Sequence, residues 1–184
     1  MNPENIILIS FGPIEKNFLD VIASDVQKEF QIAVKTKDEY LDLSDFFDPA
    51  RRQYDGTSIL KKIDTEFSST NAKTIGLFKV DLFINILTYI FGQAFLNGRS
   101  GIASMFRLYN ERYGMNRDDE LLLERFSKEV IHELGHTFGL IHCHVPACVM
   151  MASTYVEDID QKSHKLCNHC KSQLEHNLNL QKKR

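Results

Sequence analysis

The sequence predicts an α/β (α+β) fold in one domain, and three observations carry that prediction. A short apolar run, a helix-periodic stretch and a second alternating run follow one another within the first 36 residues, the order of a parallel βαβ unit. A later stretch ending near Phe138 keeps an apolar stripe over about six helical turns. Beyond it no long apolar run remains, and every His (His132 to His176) and every Cys (Cys143 to Cys170) falls in this last third. With 184 residues, 43% of them hydrophobic, the chain can bury a sizeable core.

The elements follow in order. Ile6, Ile7, Leu8, Ile9 and Ser10 read as a buried strand stopped by Gly12-Pro13. Pro13 is placed to open a helix, along which Phe18, Leu19, Ile22, Val26 and Phe30 recur at helical spacing. Residues 31–36, with alternating Ile32 and Val34, read as the second strand, and the polar stretch 37–55, broken by Pro49, as a loop. Thr57 or Ser58 is expected to cap a helix carrying Ile59, Leu60, Ile63 and Phe67. Residues 73–80 make a third strand, 81–96 irregular structure with a short strand, 98–101 a turn and 102–108 a further strand. Asn116 or Asp118 caps the long helix, with Asp118, Asp119 and Glu120 at its positive end and Gly139 just past its stop. A basic helix over residues 168–180 closes the chain, and residues 181–184 read as a solvated tail.

The formal net charge of −3 supplies no general attraction to nucleic acid or to an anionic membrane. Nine Gly and four Pro are too few for a low-complexity chain. The first apolar run spans four residues, and the stretch 81–96 is interrupted by Asn85, Gly92 and Gln93. Neither suits a signal peptide or a membrane span, so a cytoplasmic protein is expected. In that reducing compartment four clustered Cys serve better as metal ligands than as disulfides.

The long helix carries His132-Glu133-Leu134-Gly135-His136. Histidines four apart project from one helix face, near enough for both to bind one ion, and imidazole suits zinc. Glu133 lies beside the coordination position left for water and can take its proton. Gly139 permits a left-handed turn ending the helix, after which His142 can fold back as a third ligand. Downstream, Cys143 and Cys148 are separated by 18 residues from Cys167-Asn168-His169-Cys170. Two such pairs can build a tetrahedral four-cysteine zinc site; two disulfides or free buried thiols are the alternatives. Met150 and Met151 read, by position alone, as core filling.

The string His132, Glu133, His136, Gly139, His142 resembles the metzincin zinc peptidases. Continued through Cys143, Cys148, Met150, Cys167 and Cys170, it resembles the archaemetzincins in particular. The 16 residues between Met150 and Cys167 are about one fewer than that family's pattern, a difference that falls in a loop. The resemblance implies a catalytic zinc on His132, His136 and His142, Glu133 as general base and acid, and Met150 as the methionine of a turn flooring the metal. It implies a structural zinc on Cys143, Cys148, Cys167 and Cys170, hence two zinc ions per chain. It also implies a metzincin-like fold, a twisted mixed sheet with backing helices and an edge strand antiparallel to bound substrate. Residues 1–139 would form the upper subdomain, with the active-site helix, and 140–184 a small zinc-stapled lower one. Residues 102–108 are the expected edge strand, since they precede the loop into that helix.

The expected function is zinc-dependent hydrolysis of peptide bonds in a peptide or protein substrate. The resemblance leans toward aminopeptidase-like action on small peptides, and a monomer is expected. The competing reading is a zinc-containing peptide-binding protein with little or no turnover, against which the intact Glu133 weighs. A nucleic-acid-binding zinc ribbon ranks last, because Lys162, Lys165 and Lys171 stand near the cysteines without an aromatic among them. No residue is assigned to substrate binding. Tyr155, five residues past Met150, is a weak candidate for holding an oxyanion. His144, His164, His169 and His176 receive no role, nor do Arg99, Arg107 and Arg112.

Overall fold

The computed structural model describes residues 3–182. Strand β1 (Asn5–Phe11) alternates its side chains between two cores. Ile6 and Leu8 join one hydrophobic cluster, Ile7 and Ile9 the other, so a strand buried on both faces reads as an unbroken apolar run. Helix α1 (Lys16–Phe30) and β2 (Val34–Glu39) complete the expected βαβ unit, with β2 parallel to β1. The helix opens after Glu15 rather than at Pro13. Ile32 stays outside the strand, partly buried against the core.

The polar stretch after β2 is less irregular than expected. It holds a 3-10 turn (Ser44–Phe46), β3 (Phe47–Asp48) and β4 (Gln53–Asp55). Helix α2 (Gly56–Glu66) is capped by Asp55, not by Thr57 or Ser58, because the Asp55 carboxylate accepts from both of their backbone N–H groups. Strand β5 (Ala72–Phe78) is wholly buried. The stretch taken as irregular contains three strands, β6 (Leu82–Ile84), β7 (Leu87–Ile90) and β8 (Gly92–Ala94).

The main sheet has the order β2-β1-β5-β9-β8, where β9 spans Ser100–Ser104; a second sheet orders β3-β4-β6-β7. The first four strands of the main sheet are parallel and β8 is antiparallel to β9, a mixed sheet. This corrects the edge-strand assignment. Strand β9 is interior, five residues long and buried throughout, and 106–108 form a 3-10 turn. The edge belongs to β8, which arrives first through a hairpin. Parallel pairing with β5 requires β9 to lie inside, leaving the antiparallel strand as the rim.

Helix α3 (Asp119–Thr137) crosses one face of this sheet, capped by the Asp118 carboxylate, which accepts from Leu121 N–H. Its last carbonyls are all engaged. Gly139 takes φ +85°, and its N–H donates to His136 O while Leu140 N–H donates to Gly135 O, both at 2.9 Å, the Schellman closure. Lys73 of β5, 6% exposed, donates to Thr137 O (2.8 Å) and Gly98 O (2.6 Å), pinning the helix end to the β8–β9 hairpin. Burial lowers its pKa to about 8.

Beyond the helix come the short α4 (Val156–Asp160) and α5 (Asn168–Lys182). Leu140, Val149, Met150, Val156, Ile159, Leu166 and Leu174 are buried in the same cluster as α1 and α3 rather than in a core of their own. Arg125 of α3, 2% exposed, grips Asp160 through two hydrogen bonds of 2.6 and 2.7 Å. Of the expected tail 181–184, the last two residues lie outside the described residues. Among the described residues no helix is long and apolar enough to cross a membrane.

Candidate active site

The last two turns of α3 present His132 and His136 on one face, their Nε2 atoms 3.1 Å apart. Each ring is oriented from behind. His132 Nδ1–H donates to Val149 O and His136 Nδ1–H to Leu140 O, both at 2.8 Å. A proton held on Nδ1 leaves the Nε2 lone pair for a metal. The Schellman turn then swings the chain back. The His142 ring stands 5.3 Å from that of His132 and 5.0 Å from that of His136. The three ligand nitrogens lie within 4.8 Å of one another. Burial lowers all three pKa values, most for His132, so the rings stay neutral, the metal-binding form. Ligands at zinc–nitrogen distances around a tetrahedron stand roughly 3.3 Å apart, and the histidine set fits such an ion.

Met150, fully buried, packs against the helix at Gly135. A Cβ at Gly135 would overlap Met150 Sδ and stand 2.9 Å from its Cε. The tip of the methionine therefore occupies the space that a side chain at the motif's glycine would need. Gly135→Ala should displace the Met150 tip and cost about 1–3 kcal/mol of overpacking strain. Zinc affinity of the histidine site should fall with it. Thermal unfolding and competition with a chromophoric chelator measure the two effects, and unchanged values would show that the contact has no bearing on the metal.

The four cysteines converge a few residues away. Cys143 Sγ and Cys167 Sγ are 3.8 Å apart, as are Cys148 Sγ and Cys170 Sγ, and all four sulfurs lie within 4.8 Å. At these separations the four cysteines are free thiols, not disulfides. The separations match the roughly 3.8 Å edge of a tetrahedron of sulfurs around zinc. At Cys167, burial would raise the thiol pKa, but the Cys170 N–H and the surrounding thiols outweigh it and bring the value to about 7. The two sites share backbone. Cys143 follows His142, Cys143 N–H donates to Met150 O (2.9 Å), and Val149, whose carbonyl holds His132, follows Cys148.

Glu133 is 4% exposed, and its Oε2 has no hydrogen-bond partner among the described residues. Its side chain lies flush on β8, where a Cβ at Gly92 would come within 2.7 Å of Glu133 Cγ and Oε1. Burial and then the adjacent Glu129 carboxyl raise its pKa well above the usual carboxylate range. Glu133 and the three histidines, together with Glu129 and Lys162, line a cleft of about 660 Å³. Its upper rim is Leu87–Leu96 and its lower rim Ala152–Tyr155.

Sequence reasoning missed Glu129, Lys162 and β8. Glu129 was readable, since it sits four residues before Glu133 on the same helix face; Lys162 and β8 reach the cleft only through tertiary folding. The spare residues stay apart. His144, His164, His169 and His176 join neither ligand cluster, Arg107 is paired with Asp81 and Arg99 with Asp64, and Arg112 stacks 3.7 Å over Phe106. Tyr155 stands on the lower rim, 63% exposed.

Histidine and cysteine sites of this geometry on this mixed sheet define a zinc metallopeptidase. Residues 19–176 match the model of peptidase family M54. The chain is 37% identical over 182 residues to an archaemetzincin of Thermococcus kodakarensis, covering 95% of this chain and 97% of that one. Its structure is similar to that of a Methanopyrus kandleri archaemetzincin, with a TM-score of 0.83, 31% identity and 96% of each chain covered. It is also similar to a zinc-dependent peptidase from Methanocorpusculum labreanum, with a TM-score of 0.84 and 28% identity over 92% of this chain and 100% of that one. The chain belongs to peptidase family M54, the archaemetzincins.

Proposed function

We propose that the chain hydrolyses peptide bonds at a zinc held by His132, His136 and His142, with Glu133 as general base and acid. Cys143, Cys148, Cys167 and Cys170 hold a second, structural zinc, and Met150 floors the catalytic site. The carrying observation is Glu133 Oε2, a buried carboxylate oxygen without a partner in the same cleft as three oriented imidazoles. Zinc in that site supplies Lewis acidity to the scissile carbonyl and acidifies water. Glu133 Oε2 takes the proton of the attacking water and returns it to the leaving nitrogen. The outer edge of β8, rather than residues 102–108, offers backbone groups to an extended substrate. The active-site cleft divides the domain into 1–139 above and 140–184 below, and action is aminopeptidase-like on small peptides.

A peptide-library digest, run beside metal analysis and thiol titration of the native protein, tests this reading. The expected result is two zinc per chain, no reactive thiol, and cleavage abolished by chelation. A protein that holds both metals and cleaves nothing would instead be a peptide binder.

A further inference from the structure

Strand β5 lies between β1 and β9 and is buried at every position, yet it carries Lys73. An ammonium inside a sheet is costly unless its donors are satisfied. Lys73 Nζ donates to Gly98 O at 2.6 Å and to Thr137 O at 2.8 Å, and among the described residues it makes no ion pair. It also stands 5.1 Å over the Phe138 ring. The charge is thus held at the negative end of α3, where the last helical carbonyls collect. The side chain joins two segments that do not pair with β5, the turn between β8 and β9 and the end of the helix.

Three successive carbonyls at that end are taken by three distant elements. Asn97 N–H of the β8–β9 turn donates to His136 O at 2.8 Å, Lys73 Nζ to Thr137 O, and Asn177 Nδ2 of α5 to Phe138 O at 2.9 Å. Only the first two involve the turn that follows β8. The strand therefore meets α3 in two places. Gly92 packs on Glu133 at one; Asn97 and Gly98 are tied to His136 and Thr137 at the other. Gln93, Ala94 and Leu96 lie between them and line the cleft. The first place is a van der Waals contact with one side chain. The second fastens backbone to backbone and, through Lys73, to the middle of the main sheet.

We propose that Lys73 is a positioning residue for the hydrolysis: by tying the β8–β9 turn to the end of α3, it sets the gap between the strand edge that binds the substrate backbone and the imidazoles that hold the metal. This rests on the peptidase reading and adds to it a residue that touches neither substrate nor metal. Without Lys73 a peptide would still find the edge of β8, since the strand keeps its pairing with β9. The placement of the scissile carbonyl at the metal would be lost, and a shift of about 1 Å costs on the order of 10²-fold in rate. The effect belongs to kcat rather than to KM.

Lys73→Met keeps the aliphatic stem and removes the donors. It is expected to lower kcat by about tenfold or more, with KM and zinc content near the wild-type values. In the metal-free protein the Asn97 amide should exchange with solvent faster by about tenfold or more. Lys73→Gln, too short to reach both carbonyls, serves in place of a Met variant that does not fold, with the same expectation. Asn177→Ala is the comparison. It removes a bond to the same helix end from the side of α5, and should lower the melting temperature while leaving kcat in place. An unchanged kcat in a folded, zinc-loaded Lys73 variant overturns the proposal, and so does an equal loss of kcat in Asn177→Ala, which would reduce the role to general stability of the helix end. The two readings fail separately. A wild type that cleaves nothing sinks the peptidase reading, while Asn97 exchange in the Lys73 variants still reports whether the tie sets the gap. An active wild type whose Lys73 variants leave that exchange unchanged sinks only the positioning role.

Discussion

If Cys143, Cys148, Cys167 and Cys170 hold the proposed second zinc, replacing Cys148 or Cys167 by Ser is expected to empty both metal sites and to unfold the chain from Leu140 onward. A structural zinc contributes on the order of 10–16 kcal/mol to small domains, as much as the roughly 5–15 kcal/mol of a whole domain's stability. The lower region has little to replace it, because its apolar residues are buried only by packing on the cluster built from α1 and α3. The histidine site would fail next, through shared backbone. Val149 O and Leu140 O hold the two helical imidazoles, and His142 precedes Cys143. Metal analysis should therefore read near zero zinc, not one, with lost hydrogen-exchange protection confined to the lower region. A serine variant that keeps one zinc and full activity would show that the two sites are independent.

What was legible in the sequence follows from the range of the interactions that decide it. The βαβ opening and α3 could be read because their periodicities are local: Leu19, Ile22, Val26 and Phe30 bury one face of α1. The ligand sets could be read because a helix sets the spacing of His132 and His136 whatever surrounds it. Strands β6 to β8 could not. Each has three or four residues, half-buried or exposed at many positions, and they are strands only because distant segments pair with them. The interior place of β9 was hidden by its composition as well. Ser100 and Ser104 are buried there because Asp64 and Val80 O accept from their hydroxyls at 2.8 and 2.6 Å.

The site divides in the same way. Ligand identity was local information, while the shape of the cleft was not. Gly92 against Glu133, Tyr89 bonded to Thr154 O and Lys162 beside Glu129 all join residues at least 30 positions apart, and no spacing rule reaches that far. Gly135 is the intermediate case. It stands within the motif, yet its reason is Met150, fifteen residues on and brought back by the Schellman turn.

Glu133→Gln should lower kcat by about 10²–10⁴-fold, the range for removing a general base, with zinc content unchanged. Gln keeps the volume that Gly92 packs against, so the loss is chemical rather than structural; Ala would open a cavity there. The pKa direction adds a stability signature in the metal-free protein. Burial and Glu129 raise the Glu133 pKa above its unfolded value, so the folded state binds the proton more tightly. Ionisation then costs stability as pH rises above the unfolded value near 4.5, and the penalty is absent below it. Gln carries no such charge, so the variant should match the wild type near pH 4 and exceed it at neutral pH. Denaturant unfolding of both proteins across that range measures the divergence. Hydrolysis at the wild-type rate in Glu133→Gln would move the proton acceptor elsewhere in the cleft, and Glu129, one helical turn away and lining the same cleft, is the carboxyl on which that result would fall.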